Sequence, residues 1–166
     1  MGARRGVGEP APSPCLYVMV GIPGSGKTTY ARHHLPHALR ISLDDIRMML
    51  TGRAFDATRE PAVAAIGEAA LVAALANARA WRADVLFDAT NVTRALRRRS
   101  LQPAAAYGLT PLAIYLACPL DLALVRNRQR RDPVPDDVVE RFHAQLEPPS
   151  LGEGFADVII VGAPAS

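Results

Sequence analysis

The sequence predicts an α/β fold, in which a parallel five-stranded sheet carries helices on both of its faces. Short β-rich runs alternate along the chain with longer stretches rich in alanine, leucine and arginine, and this alternation is typical of strand–helix–strand units. The 166 residues, 49% of them hydrophobic, are enough for one domain with a full core. We therefore expect a flexible leader over residues 1–14, a single domain over 15–162 and a tail over 163–166.

The five strands are expected where β-branched and aliphatic residues cluster, at 16–20, 40–42, 85–87, 112–116 and 158–161. The first run, from Leu16 to Val20, is apolar almost throughout and ends at Gly21. Such a run predicts a strand that is buried on both faces, as strands of parallel sheets are.

Helices are expected between the strands, at 28–35, 44–50, 60–80, 93–107, 121–128 and 136–146. Pro61 suits the first turn of the third helix. Pro103 lies inside the fourth, where the missing N–H predicts a kink or a break. Asp136 and Asp137 are expected to cap the N-terminus of the sixth helix.

Composition and charge exclude several classes of protein. The chain has 19 basic and 16 acidic residues, and its net charge of +3 permits an anionic partner without demanding one. The composition is that of a globular protein, which excludes a collagen, a disulfide scaffold and a coiled coil. No uninterrupted run reaches the 18 apolar residues of a membrane span, so no membrane association is expected.

The cysteines and the N-terminus predict a cytoplasmic protein. Cys15 and Cys118 each lie beside an apolar run, which favours buried, reduced thiols. Arg4 and Arg5 are not followed by the apolar stretch of a secretory signal. We therefore expect neither a disulfide nor secretion.

The strongest functional motif follows the first strand. Gly21-Ile-Pro-Gly-Ser-Gly-Lys27-Thr28 matches the pattern G-x-x-x-x-G-K-[ST] between a strand and a helix. In this pattern, which defines the P-loop, backbone N–H groups cradle phosphate oxygens, the lysine reaches the β- and γ-phosphates and the hydroxyl binds Mg²⁺. The sequence thus predicts a P-loop NTPase fold with ATP and Mg²⁺ as ligands.

Lys27 is the only lysine among the 19 lysines and arginines. A position that keeps lysine in so arginine-rich a chain is expected to need a compact ammonium rather than a wide planar fork. The predicted nucleotide-binding residues of the loop are Gly21, Ile22, Pro23, Gly24, Ser25, Gly26, Lys27, Thr28 and Thr29.

A carboxylate is predicted beside the P-loop at the end of the second strand. Asp44 and Asp45 follow this strand, and the carboxyl ends of parallel strands meet at the ligand crevice. A carboxylate there can accept the proton of an attacking hydroxyl, the base role in kinases. Arg47 lies one helical turn after Asp44, so both can face the cleft. The alternative interpretation is a helix cap with a salt bridge.

Two further segments carry side chains suited to donor phosphates. Asp88 ends the third strand in the Walker B arrangement, which predicts a place near Mg²⁺, with a helix cap as the alternative. Residues 126–131 contain four arginines before a proline-rich turn. This arginine-rich segment is typical of a mobile lid that brings an arginine to the transferring phosphoryl group. The alternative is a solvated helix end.

A second basic cluster comprises Arg94 and the run from Arg97 to Arg99. Consecutive residues spread around a helix, so not all of them can serve one site. A solvated face is therefore favoured over contact with a nucleic-acid backbone.

No guanine-specific N-K-x-D signature occurs, because Asn77, Asn91 and Asn127 are each followed by a residue other than lysine. A GTPase is therefore not expected. The short chain leaves little room beyond a compact kinase core.

With these residues in place, the chain resembles the kinase domain of the phage and bacterial polynucleotide kinase-phosphatases, which act on 5'-hydroxyl ends. The resemblance runs from about residue 15 to residue 161. Besides the P-loop, it is carried by Ser42-x-Asp44-Asp45-x-Arg47, Thr51-Gly52-x-x-Phe55-Asp56, Asp88-Ala89-Thr90-Asn91 and Arg126-Asn127-x-x-Arg130 before Val134-Pro135.

The resemblance implies a nucleotide-kinase-like fold and a role for each matched position. Asp44 would be the general base on the 5'-hydroxyl, and Arg47 would hold the neighbouring phosphate of the acceptor. The other implied ligands are Lys27, Arg126 and Arg130 for the donor phosphates, and Thr28 and Asp88 for Mg²⁺.

Three functions stay open. The preferred one is an ATP-dependent phosphotransferase that acts on the 5'-hydroxyl end of RNA or DNA. The first alternative is a P-loop kinase of a small-molecule hydroxyl, such as a sugar, an antibiotic or a nucleotide-sugar, which the modest net charge permits. The second is a non-catalytic ATP-binding protein. Because Arg130 and Arg131 are adjacent, either can be the lid arginine.

Overall fold

The computed structural model describes residues 13–162. Most of the expected leader and the whole expected tail lie outside the described residues. Along the chain the elements are β1 (Cys15–Val20), α1 (Lys27–His34), β2 (Leu39–Ser42), α2 (Leu43–Thr51), α3 (Glu60–Trp81), β3 (Val85–Asp88), α4 (Arg94–Tyr107), β4 (Thr110–Leu116), α5 (Leu120–Arg128), α6 (Asp136–Gln145), a 3-10 turn (Leu151–Glu153) and β5 (Asp157–Val161).

All five strands belong to one parallel sheet, in the order β2-β3-β1-β4-β5. The strand β1 lies at its centre, and Leu16, Val18, Met19 and Val20 are fully buried. The chain leaves β1 toward β2 on one side of the sheet, while β4 pairs with β1 on the other side. Ligands of open parallel sheets bind at such a switch point, outside the carboxyl ends of the strands.

Helices cover both faces of the sheet, as predicted. On one face, Leu16 and Val18 of β1 pack with Leu71 and Leu75 of α3. On the other, Met19 packs in a cluster with residues of α1, β3 and β4. This alternation of neighbouring side chains between two helical layers confirms the α/β prediction.

The helix α3 is the one element within residues 13–162 whose length and mean hydropathy of 1.5 would suit a membrane span. Four of its buried residues, Leu71, Ala74, Leu75 and Ala78, pack in the same cluster as residues of β1 and β3. That packing is typical of a core helix.

Three local expectations are corrected by the structure. Of the kink or break expected at Pro103, the break does not occur: α4 runs through Pro103 as one helix, and Leu101 and Ala104 pack in the core. The cap of α6 is Pro135, not an aspartate. Asp136 lies in the first turn and pairs with Arg128 instead.

The third correction concerns the cysteines. Cys15 and Cys118 are free thiols, as expected, but both are only half-buried. Burial still raises the pKa of each thiol above its ordinary value.

Candidate active site

The P-loop connects β1 to α1 and packs tightly against α5. Gly24 has φ = +84°, a conformation that side chains rarely adopt, and a Cβ atom there would collide with the carbonyl oxygen of Ala123. Gly21 N donates a hydrogen bond of 2.9 Å to Thr90 O, which ties the loop to the end of β3. At Gly24 the close approach of the α5 backbone therefore leaves no room for a side chain.

Lys27 folds its side chain into the loop. Its Nζ donates to Gly21 O and Ile22 O, both at 2.9 Å. Although the residue as a whole is half-buried, its ammonium is enclosed, and this burial lowers the pKa of Lys27. Two of its three N–H donors have partners within residues 13–162, which leaves one for a phosphate oxygen.

Ser25 supplies an independent observation that fits a phosphate in the loop. Its Oγ is buried and has no hydrogen-bond partner among residues 13–162. A buried hydroxyl without a hydrogen bond lowers the stability of the folded protein, so such an atom is expected to have a hydrogen-bond partner. A phosphate oxygen in the loop would provide one, so the residues present fit a nucleotide phosphate.

Asp44 lies in the first turn of α2, held between two arginines. Its Oδ1 accepts a hydrogen bond of 2.6 Å from Arg47 Nη1, and its Oδ2 lies 3.6 Å from Arg130 Nη2. The structure therefore brings together the three side chains that the sequence singled out on α2 and in the arginine-rich segment.

Arg47 has a second carboxylate partner that the sequence analysis missed. Its Nε and Nη2 donate to the two carboxylate oxygens of Glu60, at 2.6 and 3.0 Å. Burial alone would lower the pKa of the Arg47 guanidinium, but hydrogen bonds and charge from Glu60 and Asp44 outweigh it and raise that pKa.

In the arginine-rich segment, the structure distinguishes Arg130 from Arg131, the two adjacent candidates for the lid arginine. Arg126 and Arg130 line the cleft that contains the P-loop, whereas Arg131 lines only a neighbouring pocket. Asn127 braces the segment, because its side-chain amide exchanges hydrogen bonds with the backbone of Val134 at 2.7 and 3.2 Å. Arg130 is thus the arginine that points toward Asp44.

Asp88 lies beside Thr28, with 3.5 Å between Oδ2 and Thr28 Oγ1. A hydroxyl and a carboxylate next to a phosphate cradle are hard oxygen donors that suit Mg²⁺. The same Oδ2 also accepts from Arg40 Nε at 2.9 Å, and Arg40 Nη1 reaches Asp45 at 2.6 Å. Arg40 was not anticipated as a partner of either carboxylate.

No cluster of three or more His, Cys, Asp or Glu side chains within residues 13–162 could hold a metal by itself.

The second basic cluster divides into buried and exposed members. Arg97 is fully buried and forms a forked ion pair with Glu153, with both N···O distances at 2.7 Å. Arg98 and Arg99 are exposed. The prediction of a solvated face is therefore wrong for Arg97, which belongs to the core.

One cleft of about 660 Å³ joins these groups. Its lining includes Lys27 and Thr28 of the P-loop together with both charged and apolar side chains. The lining residues beyond the P-loop include Asp44, Arg47, Phe55, Glu60, Glu68, Phe87, Asp88, Leu96, Arg99, Arg126, Arg130, Val134 and Phe142. Asp44 thus lines the same cleft as the P-loop.

A family model described as an AAA domain matches residues 16–149 of the chain. Among curated proteins, the L-seryl-tRNA(Sec) kinase of Methanococcus maripaludis is 25% identical over 139 residues, which cover 81% of this chain and 53% of that kinase.

Solved structures with the same fold include a chain of the Pnkp1/Rnl/Hen1 RNA repair complex, with a TM-score of 0.68 and 25% identity over 86% of this chain and 47% of that one. A gluconokinase from Sinorhizobium meliloti has a TM-score of 0.56 and 21% identity, over 89% of this chain and 82% of that one. The chain therefore spans about half the length of the tRNA kinase and of the repair-complex chain, but most of the gluconokinase.

Proposed function

The chain belongs to the AAA domain family and has a P-loop kinase fold, and from this premise we propose that it transfers the γ-phosphoryl group of ATP to the 5'-hydroxyl end of RNA or DNA. The observation that carries the proposal is the position of Asp44, which lines the same cleft as the P-loop and lies against Arg130. A carboxylate in this position can accept the proton of a hydroxyl that approaches a bound triphosphate.

The donor end of the cleft supplies the groups that an ATP triphosphate needs. The free N–H of Lys27 and the unpaired Oγ of Ser25 would meet phosphate oxygens, and Arg126 and Arg130 would balance charge from the opposite wall. Thr28 and Asp88 would hold Mg²⁺, which when bound neutralises charge on the donor phosphates. Such fixed charges lower the barrier to phosphoryl transfer by stabilising the transition state.

Asp44 would accept the proton of the attacking hydroxyl. Its Oδ1 is already bonded to Arg47, while Arg130 lies beyond hydrogen-bond range of Oδ2 at 3.6 Å. The hydroxyl would therefore be held at Oδ2. In the balanced reaction, the O–H proton passes to the carboxylate, the hydroxyl oxygen bonds to the γ-phosphorus, and ADP leaves.

Similarity to two proteins supports a nucleic-acid acceptor. The repair-complex chain and the tRNA kinase are named for RNA repair and for a tRNA substrate, and each is 25% identical to this chain. Phe55 and Phe142 also line the cleft, and aromatic rings suit the stacking of nucleobases.

The second candidate function is a kinase that phosphorylates the hydroxyl of a small molecule. The cleft of about 660 Å³ has the size of a small-ligand site, and the net charge of +3 is low for a long nucleic-acid footprint.

The two candidates are separated by a direct transfer assay. The protein is incubated with γ-labelled ATP, Mg²⁺ and an RNA or DNA oligonucleotide that carries a 5'-hydroxyl, and the same oligonucleotide with a 5'-phosphate serves as the matched control. The proposal expects label only on the hydroxyl form. In parallel reactions that offer gluconate or another sugar as the acceptor, label on the sugar, with none on the oligonucleotides, would favour the small-molecule kinase. ATP binding without transfer to any acceptor would indicate a non-catalytic ATP-binding protein.

A further inference from the structure

Arg40 of β2 reaches across to Asp88 at the end of β3. In the register of the two strands, Ser42 lies opposite Asp88, and Arg40 comes two residues earlier. Residues two apart on a strand share a face of the sheet, so Arg40 is a diagonal neighbour of Asp88. Its Nε and Nη2 lie 2.9 and 2.7 Å from Asp88 Oδ2. Two nitrogens of one guanidinium therefore converge on a single carboxylate oxygen.

The guanidinium of Arg40 has two further partners that fix its position. Its Nη1 donates to Asp45 Oδ2 at 2.6 Å, and its Nη2 donates to Ser42 Oγ at 3.1 Å. The Arg40 side chain is 22% exposed, and that of Asp88 is only 4% exposed. A largely buried ion pair is screened less than a pair at the surface. The positive charge of Arg40 is therefore both fixed and effective beside Asp88.

The oxygen that Arg40 contacts is also the one beside Thr28. Thr28 Oγ1 lies 3.5 Å from Asp88 Oδ2, and these two side chains are the proposed ligands of Mg²⁺. A cation held by both would lie next to the guanidinium, and like charges repel, more strongly for a divalent ion than for a monovalent one. The phosphates of a bound nucleotide would offset this repulsion, because they add negative charge beside Thr28.

Arg40 has two opposite effects on a cation at Asp88. A hydrogen-bond donor behind a metal ligand orients it, and this effect usually strengthens metal binding. A fixed positive charge weakens metal binding. Here the guanidinium occupies the carboxylate oxygen nearest to Thr28 instead of standing behind it, so the repulsion is the larger effect.

We propose that Arg40 is a positioning residue that acts through Asp88: it balances the charge of this carboxylate and keeps the affinity for free divalent cations low, so that Mg²⁺ binds together with the triphosphate. The inference rests on the proposed function, because it concerns the donor site of the same phosphotransfer reaction.

The first test measures cation binding without nucleotide. The unaltered protein and Arg40→Gln are titrated with Mn²⁺, which prefers the same oxygen ligands as Mg²⁺, and free Mn²⁺ is followed by electron paramagnetic resonance. We expect Arg40→Gln to bind Mn²⁺ at least about tenfold more tightly than the unaltered protein, because the repulsion is gone. An unchanged or weaker affinity would overturn the proposal, since it would mean that Arg40 serves Asp88 only as a structural support.

Two further variants locate the effect. Adding Asp88→Asn to Arg40→Gln should abolish the gain in Mn²⁺ affinity, and a gain that survives would overturn the proposal because another carboxylate would then bind the ion. Arg98→Gln removes the same charge from an exposed position that does not line the cleft. This matched control should bind Mn²⁺ within about twofold of the unaltered protein, and a gain equal to that of Arg40→Gln would contradict a local effect.

Arg40→Lys keeps the proposal testable in case Arg40→Gln does not fold. A lysine retains the charge but cannot contact Asp88, Asp45 and Ser42 in one plane. We expect its Mn²⁺ affinity to stay within about twofold of the unaltered protein, and a tenfold change in either direction would overturn the proposal.

The inference and the proposed function can fail separately. If the unaltered protein transfers label from ATP to a hydroxyl but Arg40→Gln gains no affinity for Mn²⁺, only the inference is wrong. If the unaltered protein transfers no label to any hydroxyl, the proposed function falls and this inference falls with it.

Discussion

At the scale of single residues, Lys27 shows how composition and geometry agree. It is the only lysine among the 19 basic residues that are not histidine, and its Nζ occupies a narrow position between the carbonyl oxygens of Gly21 and Ile22. An ammonium can donate to both carbonyls and still reach a phosphate. A guanidinium is wider and planar, and the loop has no matching space for it.

We therefore predict that Lys27→Arg reduces phosphoryl transfer at least about 100-fold despite the conserved charge. Transfer from labelled ATP gives the rate, and calorimetry gives the ATP affinity, which should fall as well. Arg98→Lys, an exchange of the same two residue types at an exposed position, is the control. Near-normal transfer by Lys27→Arg would show that the shape of the cation is irrelevant.

The residue-scale predictions were best where partners lie close in sequence. The contact between Asp44 and Arg47 follows from their helical spacing. Glu60 and Arg40 were missed because their partners come from other elements, 13 residues from Arg47 in one case and 48 residues from Asp88 in the other. Nothing in the local pattern distinguishes these two residues from ordinary surface charges.

At the scale of elements, α4 shows why a basic run does not define a surface. Successive residues of a helix point about 100° apart, so the run divides between the core and solvent. Arg97 shares the buried face with Ser100, Leu101 and Ala104. Its partner Glu153 lies 56 residues further on, in the 3-10 turn, and sequence spacing could not reveal that pairing.

Arg97→Met is accordingly predicted to destabilise the protein by about 3–5 kcal/mol, because the buried carboxylate of Glu153 loses its forked partner. Arg98→Met alters the neighbouring exposed arginine and should change stability by less than about 0.5 kcal/mol. Chemical denaturation of both variants measures the difference. Equal stabilities would mean that the buried pair contributes nothing.

The same pair predicts a pH dependence. Burial alone would raise the pKa of Glu153, but the hydrogen bonds and charge of Arg97 outweigh burial and lower it below the ordinary 4.5. A carboxylate with a lowered pKa in the folded state stabilises the fold above its unfolded pKa, and this contribution is lost as the pH falls through the folded value.

Unfolding free energies measured from pH 7 down to pH 3 should therefore fall below about pH 4.5 in the unaltered protein, and Glu153→Gln should lack that part of the decline. Both proteins retain their other carboxylates, so the comparison isolates Glu153. Parallel curves for the two proteins would contradict the assignment.

At the scale of the whole molecule, the sequence predicted the α/β class, the five strands and the place of the P-loop. These features could be predicted because local composition and the P-loop motif can be recognised in a single sequence. The order β2-β3-β1-β4-β5 and the apolar part of the cleft lining depend on contacts between distant segments. Phe55 and Phe142, for example, pack against the same hydrophobic cluster. In the sequence they are separated by α3, β3, α4, β4 and α5.

The central claim for the whole molecule is that a P-loop and one carboxylate cooperate in moving a phosphoryl group to a hydroxyl. The most direct measurement is the single-turnover rate of label transfer from ATP by Asp44→Asn, with ATP affinity determined on the same sample. The account predicts that the rate falls by about 10²–10⁴-fold while ATP binds as before. Unchanged transfer by this variant, or an equal loss of ATP binding, would contradict it.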